Sequence, residues 1–244
     1  MPKLSNVKDK KFKTNVERAN DAINRARATV LNSRRGLVAP PRTGGFYGLG
    51  MRPRGSGPEL KAIDVTSAAA AMAASGVTGI LLNGCIAGSD IGNRVGRKIN
   101  MKSLMIRINF APIITVPSPL GNLARAIVVY DSQTNITAAT STLLLNADNV
   151  LDPNKLENRE RFTVLMDKFV SLPAHNYTGS VPIAGSPTQR LIKKFIRINK
   201  DTIYNAGSTG SVTDIVSGSL YLIVIALNAT YSFQTNSRVR FVDN

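Results

Sequence analysis

"SDIGNRVGRKINMKSLMIRINF", residues 89–110, begins as a glycine loop and ends as a strand. Gly84, Gly88, Gly92 and Gly96 recur every four residues, with Arg97 and Lys98 close behind, as a phosphate cradle would have them. A Walker A loop requires G-x-x-x-x-G-K-[ST] and opens a helix whose N-terminal amides hold the phosphate. Here Gly96 is followed by Arg97–Lys98–Ile99, and the residues beyond alternate with period two. Ile99 and Met101 share one parity, whereas Leu104, Ile106, Ile108 and Phe110 share the other. A β-bulge near Ser103 reconciles the two halves, because one extra residue moves the later side chains across the pleat. The stretch reads as a turn feeding a long, bulged strand.

Working outward, seven further segments carry strand patterns: "ELKAIDV" (59–65), "GVTGILLNG" (76–84), "LARAIVVYD" (123–131), "RFTVLMDKFV" (161–170), "TQRLIKKFIRINK" (188–200), "GSLYLIVIAL" (218–227) and "YSFQTNSRVRF" (231–241). In the fourth, Phe162, Val164 and Met166 alternate onto one side. In the fifth, Ile196 and Ile198 oppose Arg197 and Asn199. The sixth is continuously apolar, as a strand buried on both faces is. The last puts Tyr231, Phe233, Val239 and Phe241 on one face, with Ser232, Gln234, Asn236, Arg238 and Arg240 on the other. A short helix suits the alanine-rich connection after the first strand, and a helical turn is expected around Asn154–Asn158. No βα alternation exists, which excludes a doubly wound sheet. The expected fold is all-β: an eight-stranded antiparallel jelly-roll sandwich over residues 59–244, with a basic, partly helical N-terminal arm.

The arm stands out by charge. The chain has 244 residues, a net charge of +16 and a pI near 10.4. Residues 1–54 hold 13 of the 31 basic residues but only three acids, a local net of +10. A field of that sign attracts polyanions. Candidate nucleic-acid contacts in the arm are Lys3, Lys8, Lys10, Lys11, Lys13, Arg18, Arg25, Arg27, Arg34 and Arg35. Arg94, Arg97 and Lys98 join them from the body, within a second cluster that continues to Lys102 and Arg107. The other reading of that cluster is a solvated half-polar strand, or partners for acids such as Asp90 and Asp131. Within the arm (1–36), Val16, Ala19, Ile23, Ala26 and Val30 form a thin helical stripe over a candidate helix at 15–35. Three such arms could bundle together, or the segment could be a solvated tail. Residues 37–58 are rich in Gly and Pro and form a linker.

One cysteine (Cys85) and one histidine (His175) leave no disulfide framework and no His-based metal set, and no cofactor motif is present. As candidate catalytic groups they lack an identifiable orienting acid. Cys85 reads as a small core residue and His175 as an exposed loop residue, so no enzyme is expected. No secretory signal is visible, and the longest strongly apolar run, 220–227, is far below the roughly 20 residues that span a bilayer.

Four motifs in order carry a resemblance. "IAGSDIGNRVGRKINMKSLMIRI" resembles the N-R-hydrophobic-G-R-K-I loop and strand of coat proteins from circular Rep-encoding single-stranded DNA viruses, and is similar also to satellite tobacco necrosis virus-type coat proteins. "RAIVVYDSQTN" (125–135), "RFTVLMDKFVSL" (161–172) and the closing "GSLYLIVIAL…SRVRFVDN" resemble later segments of the same family. The resemblance implies a capsid protein of the virion. It would self-assemble with copies of itself, sixty in the simplest icosahedral (T = 1) shell, and package single-stranded nucleic acid, DNA favoured over RNA. "KDKKFK" (8–13) could direct nuclear import in the host before assembly. The competing class is a non-capsid, nucleoprotein-like nucleic-acid-binding protein with a β-sandwich body. Such a single-strand reader should expose aromatics on one sheet face, whereas the late Tyr and Phe residues fall on the core parity.

Overall fold

Strand alternation dictates two sheets, and the computed structural model shows how they close. It describes residues 59–243, except 114, 117, 119, 176, 179, 180 and 183–188, together with residues 20 and 23. The chain divides into two units, Met1–Gly55 and Ser56–Asn244. Asn20 and Ile23 are helical. The rest of the arm, all of its basic residues and the linker 37–58 lie outside the described residues.

In the second unit the strands are β1 (Leu60–Thr66), β2 (Ala70–Ala71), β3 (Ile80–Leu81), β4 (Lys98–Pro112), β5 (Asn122–Asp131), β6 (Phe162–Leu172), β7 (Tyr177–Thr178), β8 (Val181–Pro182), β9 (Arg190–Tyr204), β10 (Ile215–Ser217), β11 (Ser219–Ala226) and β12 (Tyr231–Asp243). Among the described residues these are twelve segments where eight were expected, five of them only two or three residues long. One sheet runs β1-β12-β4-β9-β10, with β2 also on β12, and the other runs β3-β11-β5-β6. β7 and β8 pair with each other. Every pairing between these strands is antiparallel.

The parity change in β4 is a bulge. Met101 lies opposite Phe241 and Ser103 opposite Arg240, so Lys102 has no partner on β12. The ladder to β9 slips at the same place, between Met101–Lys200 and Ser103–Arg197. Ile99 and Met101 before the bulge, and Leu104, Ile106, Ile108 and Phe110 after it, are therefore all fully buried. They meet Leu220, Leu222, Val224 and Ala226 of β11 and Ala124, Ala126 and Val128 of β5 in one core between the sheets. Burying each large aliphatic or aromatic side chain contributes roughly 1.5–3 kcal/mol.

β11 is buried along its whole length. Its other parity, Tyr221, Ile223 and Ile225, packs with Ile127, Val129 and Phe162 under Ala139, Leu144, Leu145 and Val150. A loop layer with a short helix, Ser141–Leu144, thus seals the outer face of the four-stranded sheet. The helical turn expected around Asn154–Asn158 falls slightly later, where Arg159 N–H donates to Leu156 O and the N–H groups of Arg161 and Phe162 both donate to Asn158 O.

Two other expectations change. The alanine-rich connection is extended: Met72 N–H donates to Tyr231 O and Ala226 N–H to Ala73 O, so it is laddered to both sheets in turn. Those tertiary hydrogen bonds override alanine's helix propensity. Phe162, Val164 and Met166 do not share a face. β6 pairs Val164 with Val129 but Met166 with Val128, leaving Leu165 as a bulge, and Met166 turns into the inter-sheet core.

β3 is only two residues long because Asn83 takes over from the ladder. Its Nδ2 donates to Thr202 Oγ1 and Gly218 O, its Oδ1 accepts from Leu220 N–H, and its carbonyl accepts from Tyr204 OH. This buried network is satisfied at each of those atoms, and it pins the chain between β3 and β4 to β9 and β11.

Candidate nucleic-acid interface

The body residues expected to meet nucleic acid separate. Arg94 is 3% exposed. Its guanidinium donates to the carbonyls of Gly96 and Gly207 and lies 4.3 Å from the centre of the Tyr204 ring. Arg94 is thus buried, holding the glycine loop over Tyr204 of β9, where it was expected at the surface. Arg97 and Lys98 are exposed at the start of β4, and Lys98 Nζ lies 2.9 Å from Asp201. Of the acids considered as partners for this cluster, Asp131 pairs instead with Arg161, and Asp90 accepts from Asn93.

The residues that gather are on the outward face of the six-stranded sheet. The β4 bulge fixes which they are, since after Lys102 the outward parity becomes Ser103, Met105, Arg107 and Asn109. Across the strands, Lys193 (β9) lies opposite Arg107 (β4), which lies opposite Asn236 (β12) and then Thr66 (β1). The next row is Phe195, Met105, Arg238 and Asp64, and the next Arg197, Ser103, Arg240 and Ala62. Lys102, Arg107, Lys193, Arg197 and Arg240 are exposed, and none has a carboxylate within salt-bridge reach among the described residues. Two open hollows lie on this face. One is lined by Arg107, Leu191 and Gln234 among others, the other by Met105, Phe195, Arg238 and Arg240.

Two acids share the face, and both are engaged. Asp64 accepts a bidentate pair from Arg238, both bonds 2.6 Å, and this hydrogen bonding holds its carboxyl below the usual carboxylate range. Asp201 is held low in the same way by Asn100 first and Lys98 second. A depressed carboxylate contributes stability above its unfolded-state pKa and loses it as pH falls through the folded value. The Asp64 pair is half exposed, so its contribution is small. Asp64→Asn is therefore expected to move the urea midpoint little at neutral pH. What difference exists should vanish on acidification below the ordinary carboxylate range, as followed by urea titrations over pH.

The other candidate groups are internal. Cys85 is fully buried, its Sγ is 3.2 Å from Gly92 O, and burial pushes its thiol up to about 11. A thiol so disfavoured as thiolate is a poor nucleophile at neutral pH. His175 was expected to be exposed, but it is 1% exposed. Its Nε2 lies 3.0 Å from Val116 O, and its ring meets Tyr231 edge-on at 4.8 Å, so the Pro-flanked loop folds inward over β12. Among the described residues no group of three or more His, Cys, Asp or Glu side chains could hold a metal ion, and no helix is long and apolar enough to cross a membrane.

The sequence pattern could have revealed Lys193, Phe195 and Arg197. Reading the parity of Arg197 and Asn199 backward through "RLIKKFIRINK" places Phe195, Lys193 and Leu191 outside with Arg197.

No protein-family model and no curated protein matches the chain. Among solved structures it is similar to infectious bursal disease virus, Gx strain, at 13% identity and a TM-score of 0.17, over 81% of this chain and 46% of that one. The Gt strain is similar at 13% identity and a TM-score of 0.15, over 80% and 46%. The chain thus spans less than half the length of those chains, and at these TM-scores the likeness establishes neither fold nor function.

Proposed function

We propose that this chain is a viral capsid protein of the circular Rep-encoding single-stranded DNA virus type, which builds a small icosahedral shell and packages single-stranded nucleic acid through its basic arm. The observation that carries the reading is the pairing order. Taking β1, β3, β4, β5, β6, β9, β11 and β12 as first to eighth, the first pairs the eighth, the second the seventh, the third the sixth and the fourth the fifth. That is an antiparallel ribbon folded in half and rolled, with sheet orders 1-8-3-6 and 2-7-4-5, and it supports a jelly roll, the fold of many shell subunits. Sixty copies of residues 1–54, at +10 each, would supply about 600 positive charges, enough to offset about 600 phosphates. Cations bound this way release counterions, so packaging is tolerant of sequence and sensitive to salt. The reading assigns no catalysis, and it gives Cys85 and His175 to packing.

The test is negative-stain imaging of the purified full chain, with nucleic-acid absorbance measured on the same sample. Uniform closed particles that hold nucleic acid are expected, and deletion of residues 1–36 should leave shells that are empty or malformed. A monodisperse small species would sink the shell. If that species held nucleic acid, the nucleoprotein-like alternative, which the 59% exposure of Phe195 favours, would take its place.

A further inference from the structure

The two sheets treat their outer faces differently. Apolar cover seals the four-stranded one, whereas the six-stranded one bears five exposed cations, and the two acids on that face among the described residues, Asp64 and Asp201, are already held by Arg238 and Lys98. Two features of that bare face point to a ligand. Arg107 and Lys193 stand directly opposite each other on adjacent strands. Like charges so placed are destabilising, and an anion between them reverses the sign of the interaction. Phe195, in the neighbouring row, leaves 59% of its surface in water. Lys193 and Arg197 flank it two residues either way on the same strand, about 6.7 Å off.

We propose that this face is a second nucleic-acid site, separate from the arm and selective for single strands, in which the Arg107–Lys193 pair takes a phosphate and the Phe195 ring stacks on a base. It rests on the reading of the chain as one that packages nucleic acid, though not on the shell. Charge complementarity selects a polyanion, and the ring selects among polyanions. A duplex keeps its bases stacked inside, and a sulfated glycan has none, whereas a single strand can lay a base on an exposed aromatic. Cations one strand apart and an aromatic one row away form the combination that sequence-tolerant single-strand binders use.

The test uses full-length subunits freed of nucleic acid, titrated with a fluorescent oligo-dT strand, with the corresponding duplex, and with heparin as competitor, at several salt concentrations. Phe195→Ala should weaken oligo-dT binding about ten-fold, leave duplex binding and the salt slope unchanged, and be rescued by Phe195→Trp. Arg107→Gln with Lys193→Gln should lower the salt slope for the single strand by about 0.7, the worth of the one phosphate they share. Thermal melts of the same variants separate loss of the site from loss of the fold, and removing the opposed charges should not lower stability. An unchanged preference for single strand over duplex in Phe195→Ala overturns the proposal, as does heparin competition that no Phe195 variant alters. Imaging the same preparations keeps the two readings apart. Particles with no Phe195 effect leave the shell and remove the site; a Phe195 effect without particles does the reverse.

Discussion

Replacing Arg125 by methionine is expected to lower stability by about 4 kcal/mol and to release the loop 146–154 to proteolysis. Arg125 is 4% exposed on β5, and its guanidinium is fully engaged. Nε and Nη2 donate to Asp167 at 2.8 and 2.6 Å, Nη1 donates to Asp152 O at 2.5 Å and Val150 O at 3.3 Å, and Nη2 reaches Asn154 Oδ1 at 3.2 Å. The cation also lies 4.8 Å from the centre of the Phe169 ring. Methionine fills much of the same volume but satisfies none of those acceptors, and it leaves two backbone carbonyls without their donor in a nearly dry site. Val150 then loses its tie to the layer that seals β11. Urea unfolding should show a lower midpoint, and limited proteolysis should nick the variant between β5 and β6 before any other described segment. A variant that unfolds at the parental midpoint would show that the loop is held by its apolar contacts alone.

Asp131→Ala is expected to cost about 3 kcal/mol, toward the lower end for a broken buried pair because Arg161 keeps 20% of its side chain in water. Asp131 is fully buried at the end of β5. It accepts from Arg161 Nε and Nη2 at 2.9 and 2.8 Å and from Gln133 N–H at 2.9 Å, so one carboxylate closes the turn after β5 and fixes the start of β6. This pairing raises the Arg161 guanidinium pKa, the carboxylate hydrogen bonds being the largest cause. At this chain length the loss corresponds to a melting temperature lower by about 10 °C. Adding Arg161→Leu should recover part of it, because the cost lies in the cation left behind. A double variant no more stable than the single one would argue that the lost turn at Gln133, not the stranded charge, sets the penalty.

Both residues belong to "RAIVVYDSQTN", whose physics was not readable locally, since the salt-bridge partners Asp167 and Arg161 lie 42 and 30 residues away. Legibility followed that line elsewhere. Alternation in β4 and β12, and the two-sided burial of β11, depend on the local pleat and were plain; even the β4 bulge announced itself as a change of parity. Two consecutive β6 residues facing one core did not, because "VLM" is apolar in either register. Asn83 and His175 were opaque for a different reason: their burial is decided by segments more than 50 residues away. Arg94 misled because an arginine beside glycines looks solvated until Tyr204 is known to lie beneath it. The face around Phe195 was hidden because the isoleucines of β9 account for the core by themselves, which leaves the residues between them looking merely solvated.

The sealing of β11 has a consequence for motion. Its amides lie in the middle of a sheet closed in on both sides, so they can exchange with water only when the whole unit opens. The first half of β9 is the opposite extreme: among the described residues β10 pairs only with Ile203 and Tyr204, so Arg190 to Arg197 form an open edge on which Lys193, Phe195 and Arg197 are exposed. Local opening should begin there, at low free energy, while the four-stranded sheet stays shut. The surface proposed to hold cargo is thus also the surface that can breathe, and it can yield to a bound strand of irregular shape without loosening the half of the molecule that keeps the fold.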